Sequence, residues 1–347
     1  MVTKNVIGYG NAARIHKNTF PEAEMIGVFD NDSNKIKEFQ ASGMPFYRDL
    51  EEMLLCSPEP GYFDVTTPTD SHFGVVKEIL SQYPAARILV EKPVCMPSEI
   101  EKLRTLEKKF KEAKLVVNEN YMSSQVTQSI RKYVEELGMK RPSISIEFSK
   151  NRIPDVEKGR FVDKELGAFG YEGPHMLTCV NGSGGDKKIK HIWNSALRPM
   201  VLSNGNVVED QGEALLDYRA NDGSSVHFFT SMIGNTDVRL PSHDRMPEYN
   251  IKNPDERYRI MLVEKGFVAV GGIFEPIPNK PRGHSMVFIY DAGDIKKADS
   301  FDDNHMRFHQ QRAVDFFEGK GENPCNVETA VGIVEDLDRA VKFAKVR

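Results

Sequence analysis

Asn5-Val6-Ile7-Gly8-Tyr9-Gly10-Asn11-Ala12-Ala13 decides how the rest of the chain is read. Asn5-Val6-Ile7 reads as a first strand, and Arg14 to Asn18 as part of the helix that follows. The turn between them is G-x-G-x-x-A. Gly8 permits the tight turn, Gly10 lets the backbone approach a pyrophosphate, and Ala13 is small enough for helix and strand to pack closely. The pyrophosphate would rest on the helix start, Asn11 and Ala12 included, where N–H groups and the helix dipole favour an anion.

The following elements extend this reading. Met25-Ile26-Gly27-Val28-Phe29 is a second apolar strand ended by Asp30, which lies 20 residues after Gly10, where an acidic side chain would bind a ribose 2′-OH. Asn31, Asp32 and Ser33 follow, with no arginine for a 2′-phosphate, so the expected cofactor is NAD rather than NADP. Lys35, the nearest cation, reads as a solvated helix residue. Tyr62 to Thr66 forms another strand. The turn Thr67-Pro68-Thr69-Asp70-Ser71-His72 suits contact with the cofactor's ribose and phosphates, and His72 either starts the next helix or lies near the cofactor. Ile88-Leu89-Val90 is a buried strand closed by Glu91-Lys92-Pro93. Leu115-Val116-Val117 is a further strand, ending at Asn118-Glu119-Asn120-Tyr121. Strands alternating with helices predict a doubly wound parallel sheet of Rossmann type over residues 1–122. Ligands bind beyond the carboxyl ends of such strands, which places Lys92 where cofactor would meet substrate.

The remaining chain, 123–347, reads as a second domain, because 347 residues exceed one ordinary core. The composition, 39% hydrophobic and 28% charged, is that of a globular protein. A net charge of -5 argues against a nucleic-acid partner, and no apolar stretch approaches the roughly 20 residues of a membrane span. Cys56, Cys95, Cys179 and Cys325 are scattered and form no CxxC pair, and no secretory signal precedes the first strand; a cytoplasmic protein without structural zinc is expected. His305 and His309 share the i, i+4 spacing of metal ligands, but no third ligand is spaced to help them, so an exposed helix face and no metal are expected.

Gly8-x-Gly10-x-x-Ala13, Asp30, Thr67-Pro68-x-x-x-His72, Glu91-Lys92-Pro93 and Asn120, in that order and spacing, resemble the Gfo/Idh/MocA oxidoreductases, which include inositol dehydrogenase and glucose–fructose oxidoreductase. The resemblance covers the whole chain, more weakly beyond residue 122. It implies that Lys92 contacts both cofactor and substrate hydroxyl, that Pro93 shapes the turn, commonly as a cis peptide, and that Glu91 lies near the nicotinamide. It also implies an α+β second domain with a large, mostly antiparallel open sheet, through which such proteins form homodimers or homotetramers. The sequence of that domain agrees. Alternating stretches at Ser143 to Phe148, Ile189 to Ala196, Glu213 to Tyr218, Ser225 to Met232, Tyr258 to Val263 and Phe267 to Val270 read as strands. Ala220-Asn221-Asp222-Gly223 is a hairpin turn, and Asp302 to Glu318 and Val327 to Lys345 read as helices. Asn235 to Glu256, rich in Pro, Asp, Asn and Arg, reads as a long loop.

Family members carry an aspartate four residues before a histidine at the start of a helix in this domain. Here Gly170-Tyr171-Glu172-Gly173-Pro174-His175 keeps the histidine, puts Tyr171 in the aspartate position and sets Glu172 one residue later. The resemblance implies an NAD-dependent dehydrogenase or reductase acting on a polyol or keto-sugar: a sugar, sugar derivative or cyclitol. Oxidising a secondary alcohol needs a hydride acceptor and a base. A histidine titrates near 6.5, whereas a lysine begins near 10.4 and must be depressed to act as a base. His175 is therefore expected as principal acid or base and Lys92 as hydroxyl positioner and relay partner, with the reverse assignment as the alternative and Tyr171 as a further hydroxyl. Tyr121, Arg152 and Glu172 complete the expected substrate pocket; Lys150, Arg152 and Arg160 carry charge that would suit a carboxylate or phosphate, but a solvated, charged loop is the expectation for them. Two other readings fit the same motifs: a non-catalytic NAD-binding sensor, and an enzyme that uses bound NAD transiently to cleave or epimerise a glycoside.

Overall fold

The computed structural model describes residues 2–40, 43–236, 257–275 and 283–346 except Gly293, together with Ile277 and Lys280. Most of the expected loop, 237–256, lies outside the described residues. The chain divides into two compact units, Met1–Asn120 with Met306–Val334, and Tyr121–His305 with Glu335–Arg347.

The first unit is built on β1 (Val2–Ile7), β2 (Ala23–Phe29), β3 (Phe46–Tyr47), β4 (Tyr62–Val65), β5 (Arg87–Val90) and β6 (Lys114–Val117). They form one six-stranded sheet in the order β3-β2-β1-β4-β5-β6, every pair parallel. Helices α1 (Asn11–Thr19), α2 (Ile36–Gln40), α3 (Leu50–Cys56), α4 (Thr69–Gln82) and α5 (Ile100–Lys109) make the crossovers. The chain winds outward from β1 in one direction and then from β4 in the other, so β1 and β4 flank the switch point where such sheets bind ligands.

Of the second unit, α6 (Gln125–Glu136), β7 (Ser143–Ser149), α7 (Ile153–Glu157) and α8 (Phe169–Gly182) come first. Then follow β8 (Ile189–Val201), β9 (Val207–Ala220), β10 (Ser225–Ser231), β11 (Tyr258–Lys265), β12 (Val268–Glu275), β13 (His284–Asp291) and β14 (Asp294–Asp302). The eight strands run in the order β14-β13-β12-β11-β7-β10-β9-β8. Only β7 and β10 pair in parallel; the sheet is otherwise antiparallel, as expected. The β9–β10 hairpin turns where the sequence predicts, with Gly223 at φ +87° donating its N–H to the Ala220 carbonyl. One face packs on helices: a Cβ at Gly272 of β12 would lie 2.5 Å from Val126 of α6, so the glycine lets that helix sit close.

Two helices follow, α9 (His305–Phe317) and α10 (Val327–Lys345). All of α9 after His305 belongs to the first unit, where Ala313, Val314 and Phe317 pack on Phe20, Tyr62, Leu89 and Val116. The expected exposed histidine face is corrected here. His309 is wholly buried, its Nε2 lies 2.9 Å from the Val117 carbonyl oxygen, and burial pushes its pKa down to about 4. Among the described residues no group of three His, Cys, Asp or Glu side chains could hold a metal, and no helix is long and apolar enough to cross a membrane.

Candidate active site

In the first unit the predicted residues gather at the carboxyl ends of β1, β2, β4, β5 and β6. Gly8 follows β1 at φ +86°, and a Cβ on it would stand 2.7 Å from Thr67 Cγ2 and 2.9 Å from Thr67 N, so no other residue fits the turn. Gly10 caps α1 with no side-chain hydrogen bond, and a Cβ there would meet nothing within 4 Å. The space beside the helix N-terminus is therefore open, as the pyrophosphate of a dinucleotide requires. Ala13 lies on the buried face of α1. Asp30 at the end of β2 ties the glycine turn in place: its Oδ2 accepts from the Tyr9 N–H at 2.6 Å and its Oδ1 from the Asp32 N–H at 2.8 Å. Lys35 is not a solvated helix residue. Its ammonium donates to Asp30 Oδ2 at 2.7 Å from the short helical turn at Ser33–Lys35.

Beyond β4 and β6, Thr67 Oγ1 and Asn120 Oδ1 are buried with no hydrogen-bond partner. Buried polar atoms are rarely left so, and two on one sheet edge fit a polar cofactor. His72 is buried in α4, its Nδ1 2.8 Å from the Pro93 carbonyl oxygen and its Nε2 2.8 Å from that of Thr67. It thereby links the turn after β4 to the turn after β5, and burial lowers its pKa. The Lys92–Pro93 peptide is cis.

Behind Lys92 runs a buried charged chain that the sequence reading missed. Lys4 Nζ donates to Asp64 Oδ2 at 2.8 Å. His16 Nδ1 lies 2.9 Å from Asp64 Oδ1, and its Nε2 lies 2.8 Å from Glu91 Oε1. Asn118 Nδ2 donates to Glu91 Oε1 at 2.5 Å, and Glu91 Oε2 accepts from the Lys92 N–H at 3.2 Å. Burial works against charge on His16, but Asp64 and Glu91 outweigh it and raise the imidazole to about 9. Burial likewise works against the carboxylates, yet His16 and Lys4 hold Asp64 well below the usual carboxylate range, and His16, Lys92 and Asn118 lower Glu91. The signal was present in sequence: His16 lies three residues after Ala13, on the same packed face of α1. Lys4 and Asp64 are charges buried within strands.

In the second unit Tyr121, Arg152, Tyr171, Glu172 and His175 are all buried. The rings of Tyr121 and His175 lie 4.9 Å apart, and Tyr121 packs at 4.3 Å from His305. The Tyr171 hydroxyl donates to the Phe161 carbonyl at 3.2 Å, and burial, with Asp163 nearby, pushes it up to about 12 against the opposing pull of Arg160. Glu172 faces two guanidinium groups: Oε1 accepts from Arg152 Nη2 at 2.9 Å and Oε2 from Arg259 Nη2 at 2.7 Å. Arg259 also donates to the Tyr121 hydroxyl and pairs with Glu275 at 3.1 Å. Burial opposes its charge, but Glu172, Tyr121 and Glu275 together raise its pKa. Neither Arg259 nor Glu275 was expected from sequence; each sits in a strand whose alternation hid its partner on the neighbouring one.

Residues 4–121 match the model of an oxidoreductase family with an NAD-binding Rossmann fold, GFO_IDH_MocA. They belong to the Gfo/Idh/MocA family. The Gfo/Idh/MocA unit is thus an NAD-binding domain of an oxidoreductase. The likeness to solved structures, which concerns the fold, extends over the whole chain. A protein from Desulfitobacterium hafniense described as an NADPH-dependent oxidoreductase superposes with a TM-score of 0.76 at 14% identity, covering 99% of this chain and 96% of that one. The UDP-N-acetylglucosamine 3-dehydrogenase GnnA from Acidithiobacillus ferrooxidans gives 0.70 at 16% identity, with 99% and 97% covered. The WlbA dehydrogenase from Bordetella pertussis, solved with NADH and UDP-GlcNAcA, gives 0.72 at 14% identity, with 99% and 96% covered. No curated protein is similar to the chain in sequence.

Proposed function

We propose that this oxidoreductase transfers a hydride between NAD and a secondary hydroxyl or ketone of a sugar, sugar derivative or cyclitol. The observation that carries the reading is the Glu91-Lys92-Pro93 turn, pinned at the carboxyl end of β5 in an NAD-binding domain. Gly8, Gly10, Asn11, Ala12 and Ala13 would hold the pyrophosphate, Asp30 the adenosine ribose, and Thr67, Pro68, His72, Glu91, Pro93 and Asn120 the nicotinamide half. The bound cofactor supplies the hydride acceptor. Lys92, on a turn fixed from behind by the Glu91–His16–Asp64 chain, donates its ammonium protons to the substrate hydroxyl and orients it. His175 takes the hydroxyl proton on an imidazole nitrogen. Tyr171 is the weaker acceptor, because its hydroxyl already donates to Phe161 and burial holds its proton. Two relatives in fold named as dehydrogenases, one for UDP-N-acetylglucosamine and one bound to UDP-GlcNAcA, support the sugar class.

A panel of polyols and sugars assayed by NADH absorbance tests the reading. Lys92→Met and His175→Ala are each expected to lower kcat by about 10²–10⁴ on the best substrate. Near-parental turnover in both would refute the assignment, and NAD binding without turnover of any CH–OH compound would favour the sensor.

A further inference from the structure

At one end of the second unit's sheet, cations outnumber the carboxylates that pair with them among the described residues. Lys150 follows β7, Arg152 opens α7, Arg160 follows α7, and Arg257 and Arg259 lie at the start of β11. The register brings them together, since Tyr258 pairs with Ser149 and Arg259 with Glu275. Among the described residues, three acids form ion pairs with these five cations. Glu172 is shared by Arg152 and Arg259, and Glu275 by Arg257 and Arg259. That leaves Asp155 for Lys150, Arg152 and Arg160. Arg152 reaches it at 3.1 Å, but Lys150 stays at 3.7 Å and Arg160 at 3.9 Å, both beyond hydrogen-bond reach. The Nε of Arg152, a residue only 7% exposed, is buried with no hydrogen-bond partner. The crowding shows in the titration of the group. Burial first, and then the Arg152 guanidinium, push both Lys150 and Arg160 below their ordinary values. The chain as a whole is acidic, at -5, so this local excess is not a general property of its surface.

We infer that Lys150, Arg152 and Arg160 form a subsite for an anionic group on the substrate, a phosphoryl or a carboxylate. An anion between Lys150 and Arg160 supplies the acceptor that Asp155 is too far away to be, and its oxygens match the guanidinium fork. The inference deepens the proposed hydride transfer and rests on it for the identity of the ligand as a substrate.

Glucose 1-phosphate, glucuronate and glucose are titrated into NAD-saturated protein by calorimetry, so that the cofactor's own pyrophosphate site is filled. At least one anion is expected to bind about tenfold or more tightly than glucose. Preference for glucose 1-phosphate marks a phosphoryl group, and preference for glucuronate a carboxylate. The advantage should shrink between about 0.05 and 0.5 M salt, and Lys150→Gln/Arg160→Gln should abolish it while leaving NAD affinity intact. Both side chains are partly exposed, so the double variant is expected to fold. Equal binding of all three sugars, binding of none, or an anion preference that survives the double variant would overturn the inference. NADH production on neutral polyols, measured separately, tells the two proposals apart: turnover without anion preference retains hydride transfer alone, and anion binding without turnover retains the subsite alone.

Discussion

His16→Asn removes the imidazolium at the centre of the buried chain in the first unit, and its effect can be worked out from the structure. His16 has no solvent-exposed side-chain surface, and Asp64 and Glu91 hold its pKa at about 9, against 6.5 for an ordinary histidine. At 1.36 kcal/mol per unit, that shift is worth about 3 kcal/mol of extra stability for the protonated form. The pKa is raised on folding, so the contribution is complete below pH 6.5 and is lost as pH rises through 9. His72 and His309 do not interfere, since burial lowers both below the ordinary value. For a unit of about 150 residues, each kcal/mol moves Tm by about 2–4 °C. The parent should therefore lose about 5–10 °C of Tm between pH 7 and 9. In the variant this loss disappears, while Tm at pH 7 falls by a similar amount because two buried carboxylates lose their common partner. Thermal unfolding by circular dichroism at constant ionic strength, in steps from pH 6 to 9.5, reads both effects. A parent whose Tm declines over pH 7–9 no more than the variant's would show that His16 is not held protonated, and the account of Glu91 as a fixed anion behind Lys92 would fail with it.

Three further outcomes follow from the same geometry. Gly8→Ala places a Cβ 2.7 Å from Thr67 at a φ of +86°, and should destabilise the protein by about 1–3 kcal/mol and abolish NAD binding; an NAD affinity within twofold of the parent by fluorescence quenching would contradict the pyrophosphate assignment. Asp30→Ala should weaken NAD by about tenfold while leaving NADP unchanged or improved, because Lys35 is released from its ion pair to meet a 2′-phosphate; equal losses for the two nucleotides would remove Asp30 from the ribose. Glu172→Gln leaves two buried arginines short of a counter-charge and should lower stability by about 3 kcal/mol, or about 6–12 °C in Tm; a change below 2 °C would show the pair to be replaceable.

Local signals carried the first unit. A glycine turn, an acid 20 residues later and a lysine after a buried strand each depend on backbone geometry or on one helix terminus, and such features are written into a few neighbouring residues. The second sheet was legible for the opposite reason: its strands alternate, and alternation survives without knowledge of which strand pairs with which. β13 and β14 went unread; polar residues dominate β14, so its pattern resembles a loop until β13 is beside it. The missed site residues share one physical property. His16, Asp64, Arg259 and Glu275 are charges whose meaning depends on a partner up to 138 residues away, so spacing can mark His16 as buried but cannot name the groups it meets. The same dependence on distant partners holds for Glu172, which stands one residue after the position where the resemblance implies an aspartate. A carboxylate one residue further along α8 meets Arg152 and Arg259 and is consumed in holding them. Lys150 and Arg160 are left to share Asp155 with Arg152, at 3.7 and 3.9 Å.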